Sequence, residues 1–473
     1  MTALPPDGLP RPRLYDTLTR ETPALEPMDG QTFRFYCCGP TVYGPAHIGN
    51  FRTFVMQDVF RRVLEVSGIP TRHVRNITDV DDKTIRQSQA EGKTLDAFCQ
   101  EWTEKFQRDA AALHLLPPHV EAGAVSHLPD QIALIGRLMA DGHAYQGGDS
   151  SVYFRIGSFP SYGALSRLQE RALTTHSTQA DDEYDRDSAA DFALWKARRP
   201  EDGANFWPSP WGDGRPGWHV ECSAMAMKHL GESFDLHGGG MDLIFPHHEN
   251  EIAQSEAATG KPFARHWFHV AHLMVEGRKM SKSLGNLHTL EDVLDRGFSA
   301  EELRYVLLAG HYRQPLNFTW DTLPAARKFL GRLRILRERL GMPGPTPDHQ
   351  PLRGVFTALA DDLNTPAALG QMAVAAREIN AWLESDAPSP DARAAVAASF
   401  ANVLRMFGFL LPAPSPSEAP AAVTALAEER WRARQNRDWA AADRLRAQLA
   451  EAGWRMRDGR DSYTLAPLDN PTP

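Results

Sequence analysis

Cysteine is scarce. The four residues Cys37, Cys38, Cys99 and Cys222 in a chain of 473 are too few and too scattered for a disulfide framework, so reduced thiols, available as metal ligands, are expected. No apolar run approaches the roughly 20 residues that cross a bilayer. Met1 to Pro6 lacks the basic start and apolar core of an export signal, which points to a cytoplasmic chain that meets no membrane. Basic charge is also short: 51 Lys plus Arg stand against 60 Asp plus Glu, a formal net charge of -9. That excludes wholesale coating of nucleic acid but leaves room for local basic faces. With 42% hydrophobic and 23% charged residues the composition is that of a globular protein, not a disordered or collagenous one. The length exceeds what one core organises, so two to four domains are expected.

Phe33 to Cys38 has the pattern of a short strand, closed by Gly39-Pro40. Val55, Val59, Val63 and Val66 then recur at helical spacing until Gly68-Ile69-Pro70, and His73 to Ile77 is the next strand. Strand, helix and strand in this order open a doubly wound parallel sheet of the Rossmann type, an α/β fold. From about Leu115 to Pro216 the chain is rich in Pro, Gly, Ser and charge, which suggests an insertion between two halves of that fold. Beyond Trp320 the pattern turns helical, with Phe329, Leu333, Leu336 and Leu340 as an apolar stripe among arginines. Proline-rich breaks at 343–351 and 412–420 bound a helical segment, and an arginine-rich module ends the chain. The expected domains are 1–115 (first catalytic half), 116–215 (insertion), 216–286 (second half), 287–330 (a stem-contact region), 331–412 (helical bundle) and 413–473.

Several short motifs carry chemistry. His47-Ile48-Gly49-Asn50 stands at a strand-to-helix junction, where backbone N–H groups and the helix dipole favour phosphate. Lys279-Met280-Ser281-Lys282-Ser283 follows an apolar stretch, and its two lysines could neutralise charge that builds on a phosphate. Each motif alone is commonplace, but their combination and order are not. Cys222 lies in Gly217-Trp218-His219-Val220-Glu221-Cys222, and Pro246-His247-His248-Glu249-Asn250-Glu251 follows. If Pro246 opens a helix, His247 and Glu251 project from one face. With Cys38 they complete a set fit for zinc, with His248, Glu249 and Cys37 as rival ligands. Buried small thiols and a plain helix-face contact are the bland alternative. His237-Gly238-Gly239-Gly240-Met241-Asp242 offers glycines for close approach of a ligand and, at Asp242, a carboxylate for a ribose hydroxyl; a tight turn explains it nearly as well. The acidic run Asn76 to Lys83 has the composition of cap and loop residues. Near the end, Arg430, Arg432, Arg434, Arg437, Arg444 and Arg446 interleave with Trp431, Trp439 and Trp454, a mixture that suits single-stranded RNA or a solvated basic helix.

Taken together, Cys38 to Tyr43, His47 to Asn50, Asn76 to Lys83, Asp191 to Lys196, Gly217 to Ser223, Phe245 to Glu251 and Lys279 to Asn286 resemble cysteinyl-tRNA synthetase, a class I aminoacyl-tRNA synthetase. Asp361 to Pro366 is similar to that family's helical tRNA-binding domain. The resemblance implies an enzyme that activates L-cysteine with ATP and transfers it to the terminal ribose of tRNA(Cys). It makes His47, Asn50, Lys279 and Lys282 the catalytic signatures, with Gly239 and Asp242 joining them around ATP and its Mg2+. Cys38, Cys222, His247 and Glu251 would hold one Zn2+ per chain that takes the substrate thiolate, Glu251 being the ligand to yield. Thr41, Trp218, His219 and His237 would line the amino-acid pocket, and the final module would bind the anticodon. A monomer is expected. Gly44, Phe51 and the segment Asp461 to Leu465 depart from the family pattern. Two rivals share parts of this reading: a ligase that joins cysteine to an amino sugar, and a non-catalytic RNA-binding relative.

Overall fold

The computed structural model describes residues 8–168, 191–280, 284–385, 388–411, 421–436, 438–452, 454–458 and 463–467. Its strands run, in chain order, β1 (Phe33–Cys37), β2 (Thr71–Ile77), β3 (Val120–Gly123), β4 (Ala144–Gln146), β5 (Val152–Phe154), β6 (Phe192–Ala197), β7 (Gly214–Pro216), β8 (Phe234–Gly240) and β9 (Ala264–Val270). Five of them form a parallel sheet in the order β3-β2-β1-β8-β9. The chain winds outward from β1 through β2 to β3, then returns to start the other half at β8. The switch point between β1 and β8 is where open α/β sheets bind ligands, outside the carboxyl ends of the strands.

Helix α1 (Ile48–Val66) crosses between β1 and β2. It starts where it does because His47 and Asn50 cap it reciprocally: the Asn50 N–H donates to His47 Nδ1 at 3.1 Å, and the His47 N–H donates to Asn50 Oδ1 at 3.1 Å. Val55, Val59 and Val63 of the sequence pattern are buried, together with Phe51, Phe54 and Phe60. Phe51, where the family pattern has a small residue, stacks on Phe106 with ring centroids 5.8 Å apart. The departure is absorbed by core packing. Gly44 has open space around its missing Cβ, so packing does not require glycine there.

The stretch that composition marks as a loop-rich insertion is more ordered than expected. Val120–Gly123 belongs to the main sheet, paired with β2, so the first half of the fold runs past residue 115. A helix (Leu128–Ala140) and a second, antiparallel sheet in the order β4-β5-β6-β7 follow. β4, β5 and β7, of three residues each, carry too little alternation to show in the sequence, yet with the six-residue β6 they enclose Leu134, Ile135, Phe154, Leu194 and Trp195. The acidic run serves this junction. Asp81 caps the helix Asp82–Ala90. Asp82 pairs with Lys196 at 2.9 Å and also with Arg215, and half-buried Asp79 accepts the Val125 N–H at 2.9 Å.

After β9, Leu273–Val275 (β10) pairs antiparallel with Arg278–Lys279 (β11) and parallel with Leu316–Phe318 (β12). A helix over Thr322–Leu340 buries Leu323, Leu330, Leu333, Leu336 and Leu340; Leu330, not Phe329, faces inward at that turn. Helices over Arg353–Ala360, Thr365–Ser385 and Pro390–Phe407 complete the first compact unit, residues 1–410. The second unit, 411–473, has helices Ala421–Gln435 and Trp439–Glu451 and a hairpin of Trp454–Asp458 with Tyr463–Pro467, around Val423, Ala427 and Leu449. Within it Arg432, Arg444, Arg446 and Trp439 are exposed, Arg430 is buried, and Arg437 lies outside the described residues. No helix among the described residues is long and apolar enough to cross a membrane.

Candidate metal and nucleotide site

Cys38 follows the end of β1, and Cys222 lies one turn into the helix Trp218–Leu230 (α2). The expected helix start at Pro246 is corrected by the structure. Ile244–His248 forms a wider, irregular turn, and the regular helix (α3) spans Glu249–Thr259, because Phe245 keeps an extended backbone before Pro246. His247 and Glu251 nevertheless meet, Nε2 to Oε1, at 3.0 Å. Ligand atoms of Cys38, Cys222, His247 and Glu251 all lie within 4.8 Å of one another, and all four residues are buried. The two sulfurs are 4.0 Å apart. A tetrahedral zinc with Zn–S bonds of about 2.3 Å separates two sulfurs by roughly 3.8 Å, so the pair already has the spacing the metal needs.

The rivals separate clearly. Glu249 turns away, its two oxygens accepting the Gly163 and Ser166 N–H groups at 2.8 Å each. Cys37 points to the opposite face of the sheet, against Gly238, and burial pushes its thiol up. His248 is a real competitor: its Nε2 is 3.3 Å from Cys38 Sγ, and Cys38, His237, His248 and Glu251 form a second possible quartet. The first set keeps two sulfurs, which zinc prefers to a second imidazole.

Protonation supports the same set. Burial pushes Glu251 up, but His237 and His247 outweigh it and hold the carboxyl at about 2. Burial lowers His247, and Glu251 and Cys222 overcome this and lift it to about 10. Cys222 is raised by burial but brought down to about 6 by Cys38 and His247, whereas Cys38 is pushed well up. The low Glu251 carboxyl and the lowered Cys222 thiol give the buried cluster negative charge that a divalent cation would offset. The surroundings fix this geometry. His237 Nε2 lies 2.8 Å from Glu251 Oε2, and His219 Nδ1 lies 2.9 Å from His247 Nδ1, leaving Nε2 of His247 for the cluster. A further chain, His248 to His269 (2.7 Å) to Thr17 (2.8 Å), backs Cys38; nothing in the sequence pattern singles out His269 or Thr17.

Of the residues expected to line an amino-acid pocket, Trp218 is half-buried, with its ring 4.3 Å from that of His247. Thr41 is half-buried where the chain bridges to Thr78 beyond β1. His219 and His237 are fully enclosed behind the cluster. Internal packing also bears on Gly239: a Cβ there would sit 2.8 Å from Leu243 and 3.0 Å from His248. Asp242 is exposed just past β8 and within electrostatic reach of His47.

The two signatures meet in space. A Cβ on Gly49 would lie 3.0 Å from Met280 Sδ, so the Lys279–Met280 segment rests on the first turn of α1. Lys279 is exposed, while Ser281, Lys282 and Ser283 lie outside the described residues. Burial lowers His47 below the usual histidine value despite Asp242. Because its Nδ1 accepts from Asn50, the neutral ring carries its proton on Nε2, a donor that can face a phosphate oxygen.

Residues 24–328 match the family model described as tRNA synthetases class I (C) catalytic domain. The chain belongs to the cysteinyl-tRNA synthetases of class I. Residues 355–411 match a DALR domain and 417–463 a cysteinyl-tRNA ligase anticodon binding domain. A cysteine–tRNA ligase of Opitutus terrae is 52% identical over 466 residues, covering 96% of this chain and 99% of its own. One from Chlamydia muridarum is 45% identical, covering 94% and 98%. Among solved structures, a Mycobacterium tuberculosis methionyl-tRNA synthetase in complex with methionyl-adenylate superposes with a TM-score of 0.57 at 15% identity, over 84% of this chain and 94% of that one. That likeness concerns the fold alone.

Proposed function

We propose that the chain is a cysteine–tRNA ligase that forms cysteinyl-adenylate at the β1–β8 switch point and passes the cysteinyl group to the 3′ end of tRNA(Cys). One observation carries this reading: a buried two-sulfur cluster includes Cys38, just past the carboxyl end of β1, and the same connection leads on to the His47–Asn50 segment, which the Lys279–Met280 segment touches. Cys38, Cys222, His247 and Glu251 would hold zinc, a sulfur-preferring centre that tells a thiol from a hydroxyl, so serine is refused at the first step. The amino-acid part of the substrate would lie against Thr41 and Trp218. ATP, with Mg2+, would place its phosphates at the amino end of α1, where the helix dipole favours anions. His47 Nε2–H would donate to a phosphate oxygen, and Lys279 and Lys282 would offset the charge that develops as the carboxylate displaces pyrophosphate. Asp242 would reach the ribose. Little covalent help is needed; orientation and charge suffice. The chain would work as a monomer in the cytoplasm.

Transfer to an amino sugar would use the same first step, but a small acceptor has no use for an anticodon-binding module. Incubation of the enzyme with labelled cysteine and ATP, tRNA(Cys) in one reaction and an amino sugar in another, tests this. Label in tRNA alone is expected; label in the sugar alone would overturn the assignment.

A further inference from the structure

Two residues past Asn50 on α1 stands Arg52, completely buried. Burial alone acts on its charge, lowering its affinity for the proton, and it forms no ion pair among the described residues. Instead its fork holds four backbone carbonyls. Nη1 donates to Ala271 at 2.7 Å and His272 at 2.6 Å; Nη2 donates to His311 at 3.1 Å and Gln314 at 2.6 Å. Each N–H of the two terminal nitrogens thus has its own acceptor. A buried guanidinium without a counter-charge is poorly explained by stability, because an apolar side chain would fill the space at less desolvation cost.

What the carbonyls belong to gives the explanation. Ala271 and His272 lead directly into β10, whose antiparallel partner β11 contains Lys279. His311 to Gln314 leads into β12, the parallel partner of β10. On the far side of the signature loop, His288 accepts the Ile48 N–H at 2.8 Å and Thr289 bridges His47. The described chain on either side of residues 281–283 is therefore tied to the first turns of α1, on one side by the helix amino end and on the other by Arg52.

We propose that Arg52 is a positioning residue for amino-acid activation, setting Lys279 and Met280 against His47 and Asn50; this rests on the reading of those residues as the ATP site. Only a planar fork with donors on two nitrogens can span carbonyls from two chain segments at once. A lysine, with three donors at one point, cannot. Arg52 touches no reacting atom, and its effect is on the distance between groups that do.

The test uses Arg52→Lys and Arg52→Met in the full chain, assayed by cysteine-dependent exchange of pyrophosphate into ATP, with cysteine binding by calorimetry and thermal unfolding measured alongside. A misplaced reacting group costs about 100-fold, so kcat of Arg52→Lys should fall by roughly that factor while cysteine affinity changes by less than about threefold. Arg52→Met should fall at least as far; if it does not fold, the lysine variant decides. Wild-type kcat in Arg52→Lys would overturn the proposal. So would matching losses of kcat and cysteine affinity, or failure of both variants to fold, since a merely structural role predicts these. Absence of cysteine-dependent exchange in the wild type would instead sink the functional reading, so the two failures are distinguishable.

Discussion

Cys222 differs from the other thiols in the direction of its titration. Burial pushes Cys37 up, and Cys99 to about 12, whereas Cys38 and His247 bring Cys222 down to about 6. A thiolate at neutral pH is what a metal requires. Cys222→Ser should therefore lose bound zinc and lower cysteine-dependent pyrophosphate exchange by more than about 100-fold, since even residues outside the first ligand shell are worth 10–100-fold. Metal analysis and the exchange assay read the two losses together; full activity without metal would remove Cys222 from the ligand set. His73 makes a different prediction. It stacks on Phe35 with centroids 4.4 Å apart, and neither ring nitrogen has a partner. Burial holds it well below the usual histidine value. The unfolded chain takes up a proton near pH 6.5 that the folded chain refuses, so stability falls as pH drops through that value. His73→Phe keeps the stacking and should flatten this acid limb in thermal melts between pH 7 and about 5, starting from the unfolded value of about 6.5; an unchanged slope would contradict the assignment. The cysteine, histidine and carboxylate residues that come together in the cluster were legible in the sequence because the residue types themselves suggest metal chemistry. The packing constraint at Gly239 was not: it comes from His248, which only the fold brings against it.

The elements that hold these residues are short-range consequences of pattern, and their junctions are not. α1 was readable from valines at helical spacing, β1 from an aromatic stretch stopped by Gly39-Pro40, and β2 from the restart after Gly68-Ile69-Pro70. Val120–Gly123 was hidden because Val-Glu-Ala-Gly has no alternation to betray it. The β1–β2 junction shows what closes the site. The Gly39 N–H donates to Asn76 Oδ1 at 2.7 Å, and a Cβ on Gly39 would collide with the Asn76 backbone carbonyl. Gly39→Ala should cost about 2–3 kcal/mol through overpacking. Because Cys38 precedes it, zinc content should fall as well. Chemical denaturation and metal analysis check the pair, and a variant with native stability would show that the strands can separate freely there.

At the scale of the molecule, α1 joins the catalytic sheet to the helices that follow within the first unit. Asp58 accepts from Arg62 Nε at 2.7 Å, from the Leu116 N–H at 2.8 Å, and from Arg304. Fully buried Arg304 goes on to the carbonyls of Leu113 at 2.8 Å and Phe407 at 2.6 Å, where the helix Pro390–Phe407 ends. Such pairs lie 246 residues apart in the chain, so no periodicity foretells them, and the motif pattern alone gave the domain order without what fastens it. Asp58→Ala strands two guanidinium groups in the interior and should destabilise the first unit by about 3–5 kcal/mol. Thermal unfolding measures it; a loss near zero would mean the helices hold by apolar contact alone. The central claim is that this fold gathers a metal cluster and an ATP site to select cysteine by its sulfur. Exchange of pyrophosphate into ATP, measured with cysteine and with serine before and after metal chelation, tests it most directly. Exchange with cysteine only, abolished by chelation and restored by zinc, is the predicted result; exchange that survives chelation, or that serine supports equally, would contradict it.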